Sequence, residues 1–252
     1  MQTRPASTSS NTASTGLTGF EAQILASIEP GETTALLRDL IRQRSDYPPG
    51  DTRGAIQVIA KKLAQAGVPM EILARQEAQP NLLAWLGDPK RKPCLTLHAH
   101  IDTVPAGDSQ RWSVDPFGAE IRDGAIYGRG AGDDKGSVAA QTMALLALAR
   151  AGVGLEGCLQ LAVVADEESG GLEGTVWLRD LGKLAPDSLV IGEQTDNQVA
   201  IAERVACGID LTVLGKSTHG AMPWAGSFLK ICSRARFRSL IRRSGALSTW
   251  PG

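Results

Sequence analysis

The hydrophobic pattern of the chain starts at Phe20, where Ile24, Leu25 and Ile28 recur at helical spacing until Pro30-Gly31 interrupts the run. Leu36, Leu37, Leu40 and Ile41 repeat the period and predict a second helix, ending before the turn Tyr47-Pro48-Pro49-Gly50. A third helix is predicted over Ala55–Ala66, with Gly67 as its C-terminal cap. The pattern then shortens to that of strands, at Met70–Leu73, Asn81–Leu86 and Cys94–Leu97. The last of these runs into a polar end made of His98, His100 and Asp102. A glycine-rich stretch, Trp112–Gly136, precedes an apolar helix over Ser137–Ala151. Leu159 opens a buried strand that leads into Asp166-Glu167-Glu168, and a further strand, Ser188–Ile191, leads into Gly192-Glu193. This alternation predicts an α/β sheet with helices on both faces. Ligands in such sheets gather beyond the carboxyl ends of the strands.

Outside this body the character of the chain differs. Residues 1–19 are rich in Ser and Thr, hold Arg4 as their one charged side chain, and are read as a disordered tail. Residues 20–197 form the main predicted domain. After Glu193, Gln198–Val205 and Gly208–Leu214 alternate like strands of a separate sheet. Residues 227–252 form a basic tail, and from Gly220 to the end there are six bases and no acid.

Composition narrows the function classes. With 42% hydrophobic and 21% charged residues, the chain has the material for a globular core. A net charge of −1 argues against nucleic-acid binding driven by bulk electrostatics. No apolar stretch reaches membrane-spanning length. Cys94, Cys158, Cys207 and Cys232 are widely spaced, which fits reduced, mostly buried thiols in a cytoplasmic protein.

The candidate chemistry lies at the strand ends. Alternation along a strand sends His98, His100 and Asp102 to one side of the sheet. A histidine followed two residues later by an aspartate suits a metal ligand and the carboxylate that orients it, or else a polar strand end. Asp133 and Asp134 close the glycine-rich loop just before a helix, where acidic residues also commonly face the helix dipole. A phosphate-binding loop is excluded there, because the loop has no GK[ST] and is acidic. Three successive carboxylates at Asp166-Glu167-Glu168 repel one another unless a cation or solvent relieves them. Glu167 and Glu168 point to different sides, so one can coordinate a metal while the other moves a proton. Nitrogen and oxygen donors without thiolate favour Zn2+, with Co2+ or Mn2+ as substitutes.

HIDTVP, GRGAGDDKG, ADEESGG, IGEQT and GKSTHGAMPWAG, in this order, resemble the di-zinc metallopeptidase family of acetylornithine deacetylase, succinyl-diaminopimelate desuccinylase, aminoacylase and glutamate carboxypeptidase. The resemblance covers roughly Leu36 to Gly226. It implies a catalytic domain with a mixed, mostly parallel sheet, and the start of an inserted α+β lid and dimerisation domain at 198–226. It implies His100 as a ligand of one zinc, Asp102 as its orienting neighbour, and Asp133 as the carboxylate bridging both ions. Glu167 is implied as the general base or acid, Glu168 as a ligand of the second zinc, and Glu193 as a ligand of the first. His219 resembles the lid histidine that reaches a neighbouring subunit's active site. His98 and Asp134 fall outside the ligand pattern. The implied reaction is hydrolysis of the amide bond of an N-acyl amino acid or small peptide, with homodimers as the family's assembly.

Past Gly226 the motif is not continued, and a frame change or premature end is the expected reason. The family's second zinc takes a histidine from the far C-terminal part of the catalytic domain, and none of His98, His100 and His219 matches it. Weak or absent activity is therefore expected of this chain alone. The competing expectations are a non-catalytic metal-binding or interaction fragment and, last, a nucleic-acid binder acting through the basic tail.

Overall fold

The computed structural model describes residues 18–195 and 198–200. Helix α1 (Gly19–Ala26) is fixed at its start by a capping box between Thr18 and Glu21, and none of its residues is buried. Pro30 both interrupts that run and opens α2 (Pro30–Arg42), where proline needs no hydrogen-bond donor. Helix α3 (Arg53–Gln65) ends as the sequence indicates: Gly67 sits at φ +67° and Val68 N–H returns to Leu63 O at 3.1 Å.

Five strands form the main sheet: β1 (Met70–Leu73), β2 (Asn81–Gly87), β3 (Cys94–His100), β6 (Cys158–Val164) and β7 (Ser188–Ile191), in the order β1-β2-β6-β3-β7. β2 is antiparallel to both of its neighbours, while β3 lies parallel to β6 and β7. Four strands thus run one way and β2 the other, which is the mixed, mostly parallel arrangement expected. Strand β3 is three residues longer than its apolar run, because His98, Ala99 and His100 pair with Ala162, Val163 and Val164. Burial of the strand on both faces outweighs the polarity of its end.

Helices cover both faces. The larger core joins Leu36 and Leu40 of α2, Ile56, Ile59 and Leu63 of α3, and Val138 and Leu145 of α4 (Lys135–Arg150) to Leu159, Leu161 and Val163 of β6. On the other face Ala162 and Val164 of the same strand meet Leu178 of α5 (Thr175–Asp180). The twofold alternation along β6 therefore feeds two cores at once. Two elements are absent from the sequence pattern. One is α5, and the other is the hairpin of β4 (Glu120–Arg122) and β5 (Ala125–Tyr127). That hairpin turns through Asp123 and Gly124, both at positive φ, as a tight two-residue turn requires. Helix α4 starts at Lys135 rather than Ser137.

Among the described residues no helix is long and apolar enough to cross a membrane. Cys94 and Cys158 are buried free thiols. His219, the strands expected within 201–214, the rest of the lid and the basic tail lie outside the described residues, and Gln198 to Ala200 belong to no strand.

Candidate metal centre

Strands β3, β6 and β7 lie side by side and parallel, so their carboxyl ends open on one edge of the sheet. His100 is the last residue of β3. β6 leads to Asp166-Glu167-Glu168, and β7 to Gly192-Glu193. The loop before α4 brings Asp133 and Asp134 to the same edge, where His100 Nε2 lies 2.9 Å from Asp133 Oδ1. Two triads result, each with donor atoms mutually within 4.8 Å: His100, Asp133 and Glu193, and His100, Glu167 and Glu168. His100 belongs to both.

The orientation of the histidine is set from behind. Its Nδ1 donates to the backbone oxygen of Asp102 at 3.0 Å, which turns Nε2 toward the carboxylates. The Asp102 carboxylate lies 3.6 Å from Nδ1, too far for a good hydrogen bond, and acts on the ring mainly through its charge. Its direct partners are backbone groups: Oδ1 accepts Glu167 N–H at 3.2 Å and Oδ2 accepts Glu168 N–H at 3.1 Å. Asp102 thus fastens the β6 loop to the end of β3, in addition to facing the histidine. Glu168 Oε1 accepts Val104 N–H at 3.2 Å.

The two residues left outside the ligand pattern have partners elsewhere. His98 Nε2 meets Thr175 Oγ1 of α5 at 2.9 Å, away from the carboxylates. Burial, with the His100 charge adding to it, lowers the His98 ring to about 4. Asp134 is fully buried, and its Oδ2 accepts His100 N–H at 3.1 Å. It braces the end of β3 from the start of α4.

Three further residues support the site in roles that the sequence pattern does not assign, although Lys135 lies within GRGAGDDKG and Asp166 within ADEESGG. Lys135 is fully buried and its Nζ donates to Leu40 O at 3.0 Å and Gln43 O at 2.6 Å, joining the end of α2 to the start of α4. Asn81 Oδ1 accepts Ala165 N–H at 2.9 Å, and its amide donates to Glu173 O at 2.9 Å. Asp166, at φ +68°, accepts from Ser169 Oγ and from Glu173 N–H. Between them Asn81 and Asp166 shape the loop that presents Glu167 and Glu168. Gly192 is needed because a Cβ there would collide with Ser137 of α4.

The electrostatics are those of crowded acids around one base. Burial opposes a charge on His100, but Asp102, Asp134 and Glu167 outweigh it and raise the ring to about 10. Burial raises Asp134 to about 7, against the pull of Ser137 and His100 and with some help from Glu193. Loss of water contact raises Glu168 and Glu193, and the neighbouring Asp133 and Glu167 charges add to both. One imidazole and four carboxylates, with no thiol among them, form a donor set suited to Zn2+. A divalent cation would also relieve the repulsion among them. The residues present fit such an ion.

Residues 96–238 match the sequence model of Peptidase family M20/M25/M40. The match runs past Gly226, where the motifs of the resemblance stop. A succinyl-diaminopimelate desuccinylase of Methylobacterium radiotolerans is 38% identical over 208 residues, covering 77% of this chain and 52% of that protein. One from Rhodospirillum centenum is 37% identical over 202 residues, covering 75% of this chain and 51% of that one. The chain thus spans about half the length of the curated relatives it matches. Human carnosine dipeptidase 1 shares the fold, with a TM-score of 0.56 at 24% identity over 68% of this chain and 40% of that one. A family match over more than half of the sequence, with motif residues meeting at one sheet edge, leaves no ambiguity of kinship: the chain belongs to peptidase family M20/M25/M40.

Proposed function

We propose that this chain carries the metal-binding part of a hydrolase that cleaves the amide bond of an N-acyl amino acid or small peptide. The observation that carries the reading is His100 standing between two carboxylate groups at the carboxyl ends of three parallel strands. The relatives named as desuccinylases favour an N-succinyl amino acid as substrate. His100, Asp133 and Glu193 would hold one zinc, and Glu168, with Asp133 between the two positions, would serve a second. Zinc bound there supplies Lewis acidity toward water and toward a scissile carbonyl. Glu167 is half exposed at the edge of the cluster, where its carboxylate can take a proton from water and return it to the departing amine. Asp102 holds the backbone of Glu167 and Glu168, which lie in a 3-10 turn and not in a strand, so both carboxylates come near the histidine instead of pointing to different sides. A cytoplasmic location belongs to this reading, as do His219 as a lid residue and a homodimeric assembly.

Calorimetric zinc titration of the purified chain, paired with an assay on an N-succinyl amino acid, tests it. Zinc binds the wild-type chain and fails to bind His100→Ala and Asp133→Ala. Glu167→Gln keeps zinc and loses hydrolysis, by about 100-fold or more. Zinc uptake indifferent to His100 and Asp133 would overturn the proposal. Zinc uptake with no hydrolysis at all would leave a non-catalytic metal-binding fragment.

A further inference from the structure

At the opposite end of the sheet from the carboxylates, Cys94 and Cys158 are the first residues of β3 and β6 and are direct partners in the parallel register. Partners in a parallel pair project to the same face. Adjacent strands run about 4.8 Å apart, inside the roughly 4.4–6.8 Å between Cα atoms over which disulfides form. The next rung on that face shows that such side chains meet, since Thr96 Oγ1 donates to Gln160 Oε1 at 2.8 Å. The backbones are held close, with Cys158 N–H donating to Pro93 O at 3.0 Å and no room for a Cβ at Gly157. Cys94 N–H donates to Asp187 Oδ2 at 2.7 Å, which fixes the strand start from the other side.

Both thiols line a cleft of about 500 Å³ at the start of the strands, with Leu148, Leu155 and Leu159 among its other walls. They are 8% and 5% exposed, so small reagents reach them through this cleft rather than across open surface. Burial first, and the Cys94 thiol second, push Cys158 up to about 12. Cys158 is thereby a weak nucleophile toward an outside reagent, while its closeness to Cys94 suits it to a second, intramolecular step. Among the described residues Cys94 and Cys158 are the free cysteines.

We propose that Cys94 and Cys158 form an oxidisable dithiol, converted by a low-molecular-weight disulfide into an intramolecular bridge that staples β3 to β6. The Cys94 thiolate attacks one sulfur of the small disulfide, giving a mixed disulfide and releasing one small thiolate. The Cys158 thiolate then attacks the Cys94 sulfur, forming the protein disulfide and expelling the second small thiolate. The two protons lost by the cysteines end on the two released thiols. The protein loses two electrons, and the small disulfide gains them. The strands that would be joined are those that carry His100 and the Glu167-Glu168 pair at their far ends. The bridge therefore stiffens the sheet under the metal centre without touching it.

The test uses the full chain carrying Cys207→Ser and Cys232→Ser, so that Cys94 and Cys158 are its only thiols. It is incubated with oxidised glutathione, quenched with an alkylating reagent, and mapped by non-reducing peptide mass spectrometry. The expected product is a monomer in which the Cys94 and Cys158 peptides are joined, reversed by dithiothreitol, with a thermal midpoint higher than that of the reduced form. Cys94→Ser and Cys158→Ala, made separately, give no bridged product, and the second stops at a glutathione adduct on Cys94. Two unreacted thiols, disulfide-linked dimers, or stable adducts in place of the bridge would each overturn the proposal. A bridged chain with an unchanged thermal midpoint would overturn the staple.

Discussion

At the scale of single residues, Asp102 does more than its position in the motif suggests. A carboxylate two residues after a ligand histidine is read from sequence as the group that orients the ring, yet the ring nitrogen bonds the backbone oxygen of Asp102 instead. Its carboxylate takes the N–H groups of Glu167 and Glu168. Asp102→Ala would leave two N–H groups without their acceptor and release both glutamates from their seats. The expected result is a loss of about 2 kcal/mol in urea unfolding and a fall of about 10–100-fold in zinc affinity. Calorimetry on the variant decides: unchanged zinc affinity beside reduced stability would reduce Asp102 to a structural brace. The ligand candidates themselves were legible in sequence, because His and carboxylates at the ends of apolar strands are costly to place without a task. The roles of Lys135, Asn81 and Asp166 were not. Lys135 and Asn81 work through partners 95 and 84 positions away, and Asp166, visible as the first of three successive carboxylates, serves its own loop by accepting from Ser169 and Glu173.

At the scale of elements, the long apolar runs of β3, β6 and α4 announced themselves, whereas β4, β5 and α5 did not. Three-residue strands and a six-residue helix are too short to show a period. The Asp123-Gly124 turn was the one cue to the hairpin. How helices are tied together was equally invisible. Glu32 in the first turn of α2 accepts from Lys62 of α3 at 2.7 Å and from Arg150 of α4 at 2.7 Å on each oxygen. Arg150 and then Lys62 lower its carboxyl from 4.5 to about 2. A folded-state pKa below the unfolded one means that this link stabilises fully above about 4.5 and is lost as pH falls toward 2. Its carboxylate is about a quarter exposed, so solvent screening holds the contribution to about 1 kcal/mol. Glu32→Gln should therefore unfold about 1 kcal/mol more easily than the wild type at pH 7. The gap should close as the pH is lowered through 3 in parallel urea titrations, and a constant gap would place the stabilisation in packing instead of charge.

At the scale of the whole molecule, the strand order decides what the separate motifs can do together. The sequence shows which strands end in His or carboxylate, but adjacency is a tertiary choice, and the order β6-β3-β7 puts all three ends side by side with His100 on the central strand. The consequence is a folded state that gathers four carboxylates around one histidine, an arrangement the unfolded chain does not hold. Zinc should accordingly bind the folded chain far better than the unfolded one, and its binding free energy should appear as stability. At a free zinc concentration 100 times the dissociation constant, the gain is about 2.7 kcal/mol, which raises the thermal midpoint of a domain of this size by roughly 5–10 °C. Differential scanning fluorimetry over a zinc series, with a chelator control, checks this. His100→Ala should flatten the dependence, because His100 belongs to both triads, whereas Glu168→Ala should leave part of it. If zinc shifted the midpoint of His100→Ala as far as that of the wild type, the ion would be binding elsewhere. The cluster at the sheet edge would then owe its geometry to packing alone.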